Sequence, residues 1–333
     1  MRPCSSFPGG MSSDGGAMLL IGRGEVEGLV TLEEAVDALY EVYADWAGGA
    51  AAALPRIRFP LPQATFHVLV ARAESTGLVG CKLLPAGLPR TRTCTALWSC
   101  RDGTLLCLVD SSTLSPLRTA ATSVLGARLL ARPESRSLAL LGAGRQARSQ
   151  LLALAAAFPL DRVVVWSRTA ERAEELVRDA GRELGLPLSV VQSPRDAVAA
   201  ADLVVTATRA TEPVLAGRWL RPGSHVTAIG ADQATRRELD AEVVRRAAVV
   251  VVDSLEQARR DSGDLIAAID EQATSWDAVI ELGAVVRGNA PARSGPKEIT
   301  VLAHQGSALG DVALAALAYR RAREQSLGLE VDW

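Results

Sequence analysis

Apolar residues recur at helical spacing between residues 32 and 46, at Leu32, Val36, Leu39, Val42, Tyr43 and Trp46. A capping box, Thr31-Leu32-Glu33-Glu34, precedes them, so the pattern predicts a helix running to about Trp46. After a Gly/Ala-rich turn at 47–53 the period changes. Thr65–Ala71, Gly77–Leu84, Thr93–Ser99 and Leu105–Val109 read as strands, the last two joined through Arg101-Asp102-Gly103. The first hundred residues are thus expected to form a helix and a mostly antiparallel sheet. Ser115-Pro116 predicts a second helix, Ser as N-cap and Pro at the first helical position, continuing to Leu130.

Beyond Pro133 short Val/Leu/Ile runs alternate with helical patterns. Strands are expected at Ser137–Leu141, Arg162–Trp166, Leu186–Val191, Leu203–Ala207, His225–Ile229, Val249–Val252 and Ile299–Leu302. Continuous apolar strands between helices indicate a parallel sheet covered on both faces. The last helix, about Ser307–Glu324, lies outside this alternation and is expected to return to the first segment. The fold class that results is α/β, a central parallel sheet accompanied by a mixed α+β part built from both ends of the chain.

Composition narrows the functions. The chain has 333 residues, enough for about two domains. Its 48% apolar and 22% charged residues exclude general disorder. A net charge of −2 provides no basic excess for nucleic acid or an anionic membrane, which makes a small molecule the expected partner. No apolar run reaches the ~20 residues a membrane span requires. Residues 1–17, rich in Gly and Ser, read as a disordered leader without the apolar stretch of a signal peptide, with the fold starting near Met18. Cys4, Cys81, Cys94, Cys100 and Cys107 form no C-x-x-C pair and have three histidines to join them, so no metal site is expected. Reduced thiols and a cytoplasmic location follow.

The segment Ser137-Leu138-Ala139-Leu140-Leu141-Gly142-Ala143-Gly144-Arg145-Gln146-Ala147 reads as strand, G-x-G-x-x-A turn and helix start. Gly142 permits the tight turn, Gly144 lets backbone approach a pyrophosphate, and Ala147 lets helix pack on strand. With the α/β pattern downstream, this predicts a Rossmann-type dinucleotide site, Gly142 to Gln146 facing the phosphates. The next strand ends in Trp166-Ser167-Arg168-Thr169, where an NAD-specific site usually carries Asp or Glu. Arg168 can pair with a 2′-phosphate, and Ser167 and Thr169 add hydroxyl donors. NADP(H) is therefore the preferred cofactor, with NAD(H) possible.

Three cations stand apart from this turn. Arg56 follows Leu54-Pro55, Arg118 lies in the first turn of a helix, where the macrodipole calls for an anion beside it, and Lys82 sits inside the apolar run Gly80-Cys81-Lys82-Leu83-Leu84. Lysine is rare here, Lys82 and Lys297 being the only two among 36 basic residues. Two arginines can fork onto a carboxylate, and a buried lysine can have a lowered pKa and donate a proton. Taken alone, each is more often a member of a structural ion pair. Asp232, just past the strand His225–Ile229, lies where ligands of open α/β sheets bind, and can exchange a proton with an amine or imine.

From Met18 onward the chain resembles the ornithine cyclodeaminase/mu-crystallin family. The resemblance rests on Leu117-Arg118-Thr119-Ala120-Ala121-Thr122-Ser123, the Gly142–Ala147 turn, Ala228-Ile229-Gly230-Ala231-Asp232, Arg237-Glu238-Leu239-Asp240, Val252-Asp253, Ser262-Gly263-Asp264-Leu265, Glu281-Leu282-Gly283 and Glu298-Ile299-Thr300 leading to Gly306 and Asp311. It implies a homodimer, a substrate-binding and dimerisation domain of residues 18–116 with 306–333, and an NAD(P)-binding Rossmann domain of residues 117–305. It also implies that Arg56, Lys82 and Arg118 grip a substrate carboxylate and that Asp232 is the acid/base residue. Arg118, Thr119, Thr206, Ala207, Thr208, Ile229 and Gly230 are the further cofactor contacts. Two departures stand out. Cyclodeaminases carry an acid where Arg168 stands, and His304-Gln305 replaces a usual Ser-Val or Ser-Thr near nicotinamide and substrate. Arg168 points to an NADPH-dependent reductase of small cyclic imino acids of the mu-crystallin type. Asp232, which mu-crystallin lacks, points instead to an ornithine- or lysine-type cyclodeaminase that uses bound cofactor catalytically and releases ammonia. An amino-acid or opine-like dehydrogenase and a non-catalytic NADPH-binding protein are the remaining readings.

Overall fold

A computed structural model describes residues 17–88 and 91–332. The expected leader, up to residue 16, and Cys4 lie outside the described residues. The chain divides into two units, one made of residues up to Arg118 together with those from Ser307 onward, the other of Thr119–Gly306.

The first unit opens with β1 (Ala17–Ile21), α1 (Arg23–Val26), α2 (Leu32–Ala47), β2 (Ala51–Ala53), β3 (Ile57–Leu61), β4 (Ala64–Ala73), β5 (Leu78–Ala86), β6 (Cys94–Ser99) and β7 (Leu105–Asp110), and passes into α3 (Leu114–Leu130). The capping box at α2 forms as the sequence predicts: Thr31 Oγ1 accepts from the Glu34 N–H, and the Glu34 carboxylate accepts from the Thr31 N–H. Helix α3, however, begins one residue before Ser115, so Ser115 is not its N-cap. The Ser115 hydroxyl donates instead to the carbonyl of Ser111, 3.0 Å away.

In the second unit follow β8 (Ser137–Leu141), α4 (Arg145–Ala157), β9 (Arg162–Trp166), α5 (Ala170–Leu184), β10 (Leu188–Val190), α6 (Pro194–Val198), β11 (Leu203–Thr206), β12 (His225–Ala228), α7 (Ala241–Arg246), β13 (Ala247–Val252), α8 (Leu255–Asp261), α9 (Gly263–Asp270), β14 (Val279–Glu281), α10 (Leu282–Val286) and β15 (Ile299–Ala303). All eight strands run parallel in the order β10-β9-β8-β11-β12-β15-β13-β14. The strand order reverses at β8 and β11, which are neighbours. β14 escapes the sequence pattern because three residues show no period.

The chain then re-enters the first unit as α11 (Ala308–Glu324) and β16 (Leu329–Asp332). The sheet there runs β16-β1-β7-β6-β5-β4-β2, with β3 also on β4, antiparallel except where β1 pairs with β7. One face, with Leu69, Ala71, Gly80, Lys82, Leu97 and Cys107, is buried, and α11 and α2 pack together over this sheet. Gly80 makes the approach of α11 possible: a Cβ there would lie 2.7 Å from Val312 Cγ2 and 2.8 Å from Leu97 Cδ2. The opposite face carries Val68, Val70, Val79, Cys81, Leu83 and Trp98, in register with one another and only half-buried. Among the described residues no helix is long and apolar enough to cross a membrane.

Packing at Gly80 can be tested against a glycine in open space. Gly80→Ala is expected to cost about 1–3 kcal/mol by urea unfolding, the penalty of overfilling a packed core. Gly24→Ala, whose Cβ meets nothing within 4 Å, should not destabilise. Equal effects would refute the packing argument.

Candidate functional site

In the first unit, β5 and the starts of α3 and α11 bring charges together. Lys82 and Asp311 are each 2% exposed, and Lys82 Nζ donates to Asp311 Oδ1 at 2.7 Å. Arg118 Nε donates to the same oxygen at 3.0 Å, and Lys82 also donates to Ser115 Oγ at 2.7 Å. Asp311 is thus the anion that the position of Arg118 called for. The half-buried Arg56 is close enough for its charge to act on both Lys82 and Asp311. Three cations consequently surround one carboxylate. Burial, outweighing the pull of Asp311 and helped by the charge of Arg118, lowers the Lys82 pKa to about 8. Burial works against ionisation of Asp311, but Arg118 and then Lys82 hold its carboxyl below the ordinary range. Asp311 Oδ2 is buried and has no partner.

The second unit holds the glycine turn. Gly142 takes φ +123°, and a Cβ on it would lie 2.4 Å from the Ala207 carbonyl oxygen, so the loops after β8 and β11 touch through it. Gly144 is exposed, and a Cβ there would meet nothing within 4 Å. It caps the 13-residue α4 without any side-chain bond, leaving the helix N-terminus to its backbone N–H groups. Beside it the buried amide oxygen of Gln146 has no partner. An open cradle before an uncapped helix fits a dinucleotide pyrophosphate. Ser167 is half-buried at the end of β9, and Arg168 and Thr169 are exposed there. Thr206 is buried, while Ala207, Thr208 and Ile229 are half-buried and Gly230 is buried at the ends of β11 and β12.

Asp232 follows β12 and is about one-third exposed, its Oδ1 accepting from Arg236 Nη1 at 2.5 Å. His304 and Gln305 are 2% and 5% exposed. His304 Nε2 lies 2.9 Å from Ser123 Oγ on α3, and its backbone N–H donates to Ala228 O. Asp253 holds the following turn, accepting from the N–H groups of Gln305 and Gly306 at 3.2 and 2.7 Å. Sequence reasoning placed Arg56, Lys82 and Arg118 in one group but passed over the roles of Asp311, Ser115 and Arg236. The cation at the positive end of α3 signalled Asp311's existence, not its position.

The family model for the ornithine cyclodeaminase/mu-crystallin family matches residues 17–326. The chain is 36% identical over 232 residues to the ketimine reductase mu-crystallin of Mus musculus, 70% of each chain. It is 30% identical over 328 residues to a Δ1-pyrroline-2-carboxylate reductase of Bacillus cereus, 95% of this chain and 100% of the relative. Among solved structures, the Thermococcus litoralis Δ1-pyrroline-2-carboxylate reductase in complex with NADH and L-proline superposes with a TM-score of 0.90 at 29% identity, covering 94% of this chain and 100% of that one.

Removing the anion from the buried cluster should expose its cost. Asp311→Asn leaves the buried Lys82 without its anion and is expected to lose about 3–5 kcal/mol at pH 7. Lys82 has a folded pKa below its unfolded value, so the native state gains stability as pH rises from about 8 toward 10.5. Without its anion Lys82 discharges earlier still, and the deficit should shrink at pH 9.5 in urea titrations. A deficit that grows with pH would contradict this assignment.

Proposed function

The chain belongs to the ornithine cyclodeaminase/mu-crystallin family, and from that premise we propose that it is an NADPH-dependent reductase of small cyclic imino acids, working as a homodimer in the cytoplasm. The observation that carries the substrate class is the cluster around Asp311, where Lys82 and Arg118 donate to one carboxylate oxygen and the charge of Arg56 also acts. Cations gathered in this way suit an α-carboxylate. Arg168, exposed at the end of β9 with Ser167 and Thr169 on either side, supports the choice of NADPH.

In this reading Arg56 and Arg118 hold the substrate carboxylate by forked hydrogen bonds. Ser115 and Asp311 fix the Lys82 ammonium, whose pKa of about 8 suits it to give a proton to nitrogen near neutral pH. Asp232, held by Arg236, is the second proton-carrying group. His304 and Gln305 act on the substrate side chain from the turn anchored by Asp253. The dinucleotide, when bound, supplies the hydride for the imine carbon; Gly142 to Gln146 hold its phosphates. The free thiols Cys81, Cys94, Cys100 and Cys107 suit a reducing compartment. Asp232 favours a second reading, a cyclodeaminase that returns its hydride within the turnover and releases ammonia.

Stoichiometry separates the two. With 1-pyrroline- or 1-piperideine-2-carboxylate the reductase should consume one NADPH per product and release no ammonia. Ammonia from ornithine or lysine with trace dinucleotide and no net absorbance change would establish the cyclodeaminase instead. NADPH should bind roughly 10- to 150-fold more tightly than NADH, the worth of a charge-assisted hydrogen bond, and Arg168→Asp should abolish the difference. Equal affinities in the unaltered protein would overturn the NADPH assignment.

The half-buried face of Val68, Val70, Val79, Cys81, Leu83 and Trp98 is the surface we assign to a second copy of the chain. Light scattering should give the mass of two chains, and Val68→Glu should shift it toward one. A monomeric parent protein would refute the dimer.

A further inference from the structure

Three motifs, Ile229-Gly230-Ala231-Asp232, Arg237-Glu238-Leu239-Asp240 and Ser262-Gly263-Asp264-Leu265, meet within the second unit around one buried carboxylate. Glu238 is 0% exposed. Its Oε1 accepts from the backbone N–H and the hydroxyl of Thr208, at 2.5 and 2.6 Å. Its Oε2 accepts from the Thr206 hydroxyl at 2.8 Å and the Gly230 N–H at 2.7 Å. A single side chain thus ties the loop after β11 to the loop after β12, two residues before Asp232. Gly230 is needed for this closeness: a Cβ there would lie 2.3 Å from Thr208 O and 2.4 Å from Glu238 Oε1.

A second carboxylate stands behind the first. Asp264, 2% exposed in the first turn of α9, accepts through Oδ1 from the N–H groups of Glu238 at 2.6 Å and Leu239 at 2.8 Å. Its Oδ2 is buried without a partner. Gly263 permits the contact, since a Cβ there would lie 1.9 Å from Arg236 O. Four donors on Glu238 address an ionised carboxylate, and two adjacent buried acids are not both ionised without cost. Burial, and next the Glu238 charge, push Asp264 up to about 8. Burial also pushes Glu238 up, against the pull of Thr208, Thr206 and Gly230.

We propose that Glu238 is the positioning residue of the cofactor-facing loops, acting as the carboxylate, and that the neutral form of Asp264 holds it in place. The proposal rests on the reading of these loops as dinucleotide contacts. Ionisation of Asp264 would set a second buried charge behind Glu238 and loosen Thr206 to Thr208 and Gly230. The charges acting on Asp264 are Glu238 and, in the opposite sense, Arg237, itself bonded to Glu271 at the end of α9. On the helices packed against α9, Glu242 pairs with Arg245 and Arg246 donates to the Gly217 and Leu220 carbonyls on α7's side. On α8, Asp261 accepts from Gln257, Glu256 pairs with Arg260, and Arg259 stacks on Trp276.

The test titrates NADPH and NADH by fluorescence into the full chain, Glu238→Gln and Asp264→Asn between pH 6.5 and 9.5, and follows amide hydrogen exchange at Thr208 and Gly230 without cofactor. Glu238→Gln turns an NH2 toward two of the four donors and should weaken binding roughly 5- to 100-fold while speeding exchange at both amides. The unaltered protein should lose affinity as pH passes about 8, and Asp264→Asn, neutral throughout, should show a flat profile. Unchanged affinity and exchange in Glu238→Gln, or parallel pH profiles for Asp264→Asn and the unaltered chain, would overturn the proposal. If neither dinucleotide binds the unaltered chain at any pH, the cofactor reading fails, and the exchange rates decide the positioning role alone. If Glu238→Gln does not fold, the Asp264→Asn profile decides it.

Discussion

A carboxylate taken out of water must have its charge answered by donors or cations, or carry a proton, and that constraint shapes both units of this chain. Asp311 is answered by two cations, Lys82 and Arg118, on a single oxygen, its other oxygen being buried without a partner. The charge of Arg56 acts on the same carboxylate. Glu238 meets the same constraint with two hydroxyls and two backbone N–H groups and so pulls loop backbone into place. Asp264 lacks a full set of donors and is pushed toward its neutral form.

The parallel sheet places those loops where they can act. Its strands all end on one edge, and the strand order reverses at β8 and β11, the position at which open α/β sheets bind their ligands. Small residues then set the spacing. Gly142 lets the β8 loop touch the Ala207 carbonyl, and Gly230 lets the β12 loop close on Thr208. Gly144 leaves open space before α4. Glycines at these points have different jobs, two admitting neighbouring backbone and one leaving room for something absent from the chain itself.

In the first unit the same economy of side chains operates on a sheet. Gly80 and Lys82 sit on the buried face, two positions apart on β5, the first admitting α11 and the second meeting Asp311 carried by it. Packing and charge therefore depend on one helix approach. The other face of the strands is apolar without being fully buried, which is the physical ground for assigning it to another copy of the chain.

Much of this was legible in the residues. The period of apolar positions determined the helix after Thr31, the strands β4 to β7 and the parallel alternation from β8 onward, because burial on one or both faces writes itself into local spacing. The glycine turn was readable for the same reason, being a local feature with a local geometry. Strands β1, β2, β3, β14 and β16 were not, since short or edge strands carry no distinctive period. Ser115 looked like an N-cap and proved to be a donor to Ser111 within a helix already begun. Above all, the partners of the buried charges were decided by tertiary structure alone. Lys82 and Asp311 are 229 residues apart in sequence, and Glu238 is 32 from Thr206. A lone cation or carboxylate in a sequence states that its charge must be answered, and only the folded chain says by which residue.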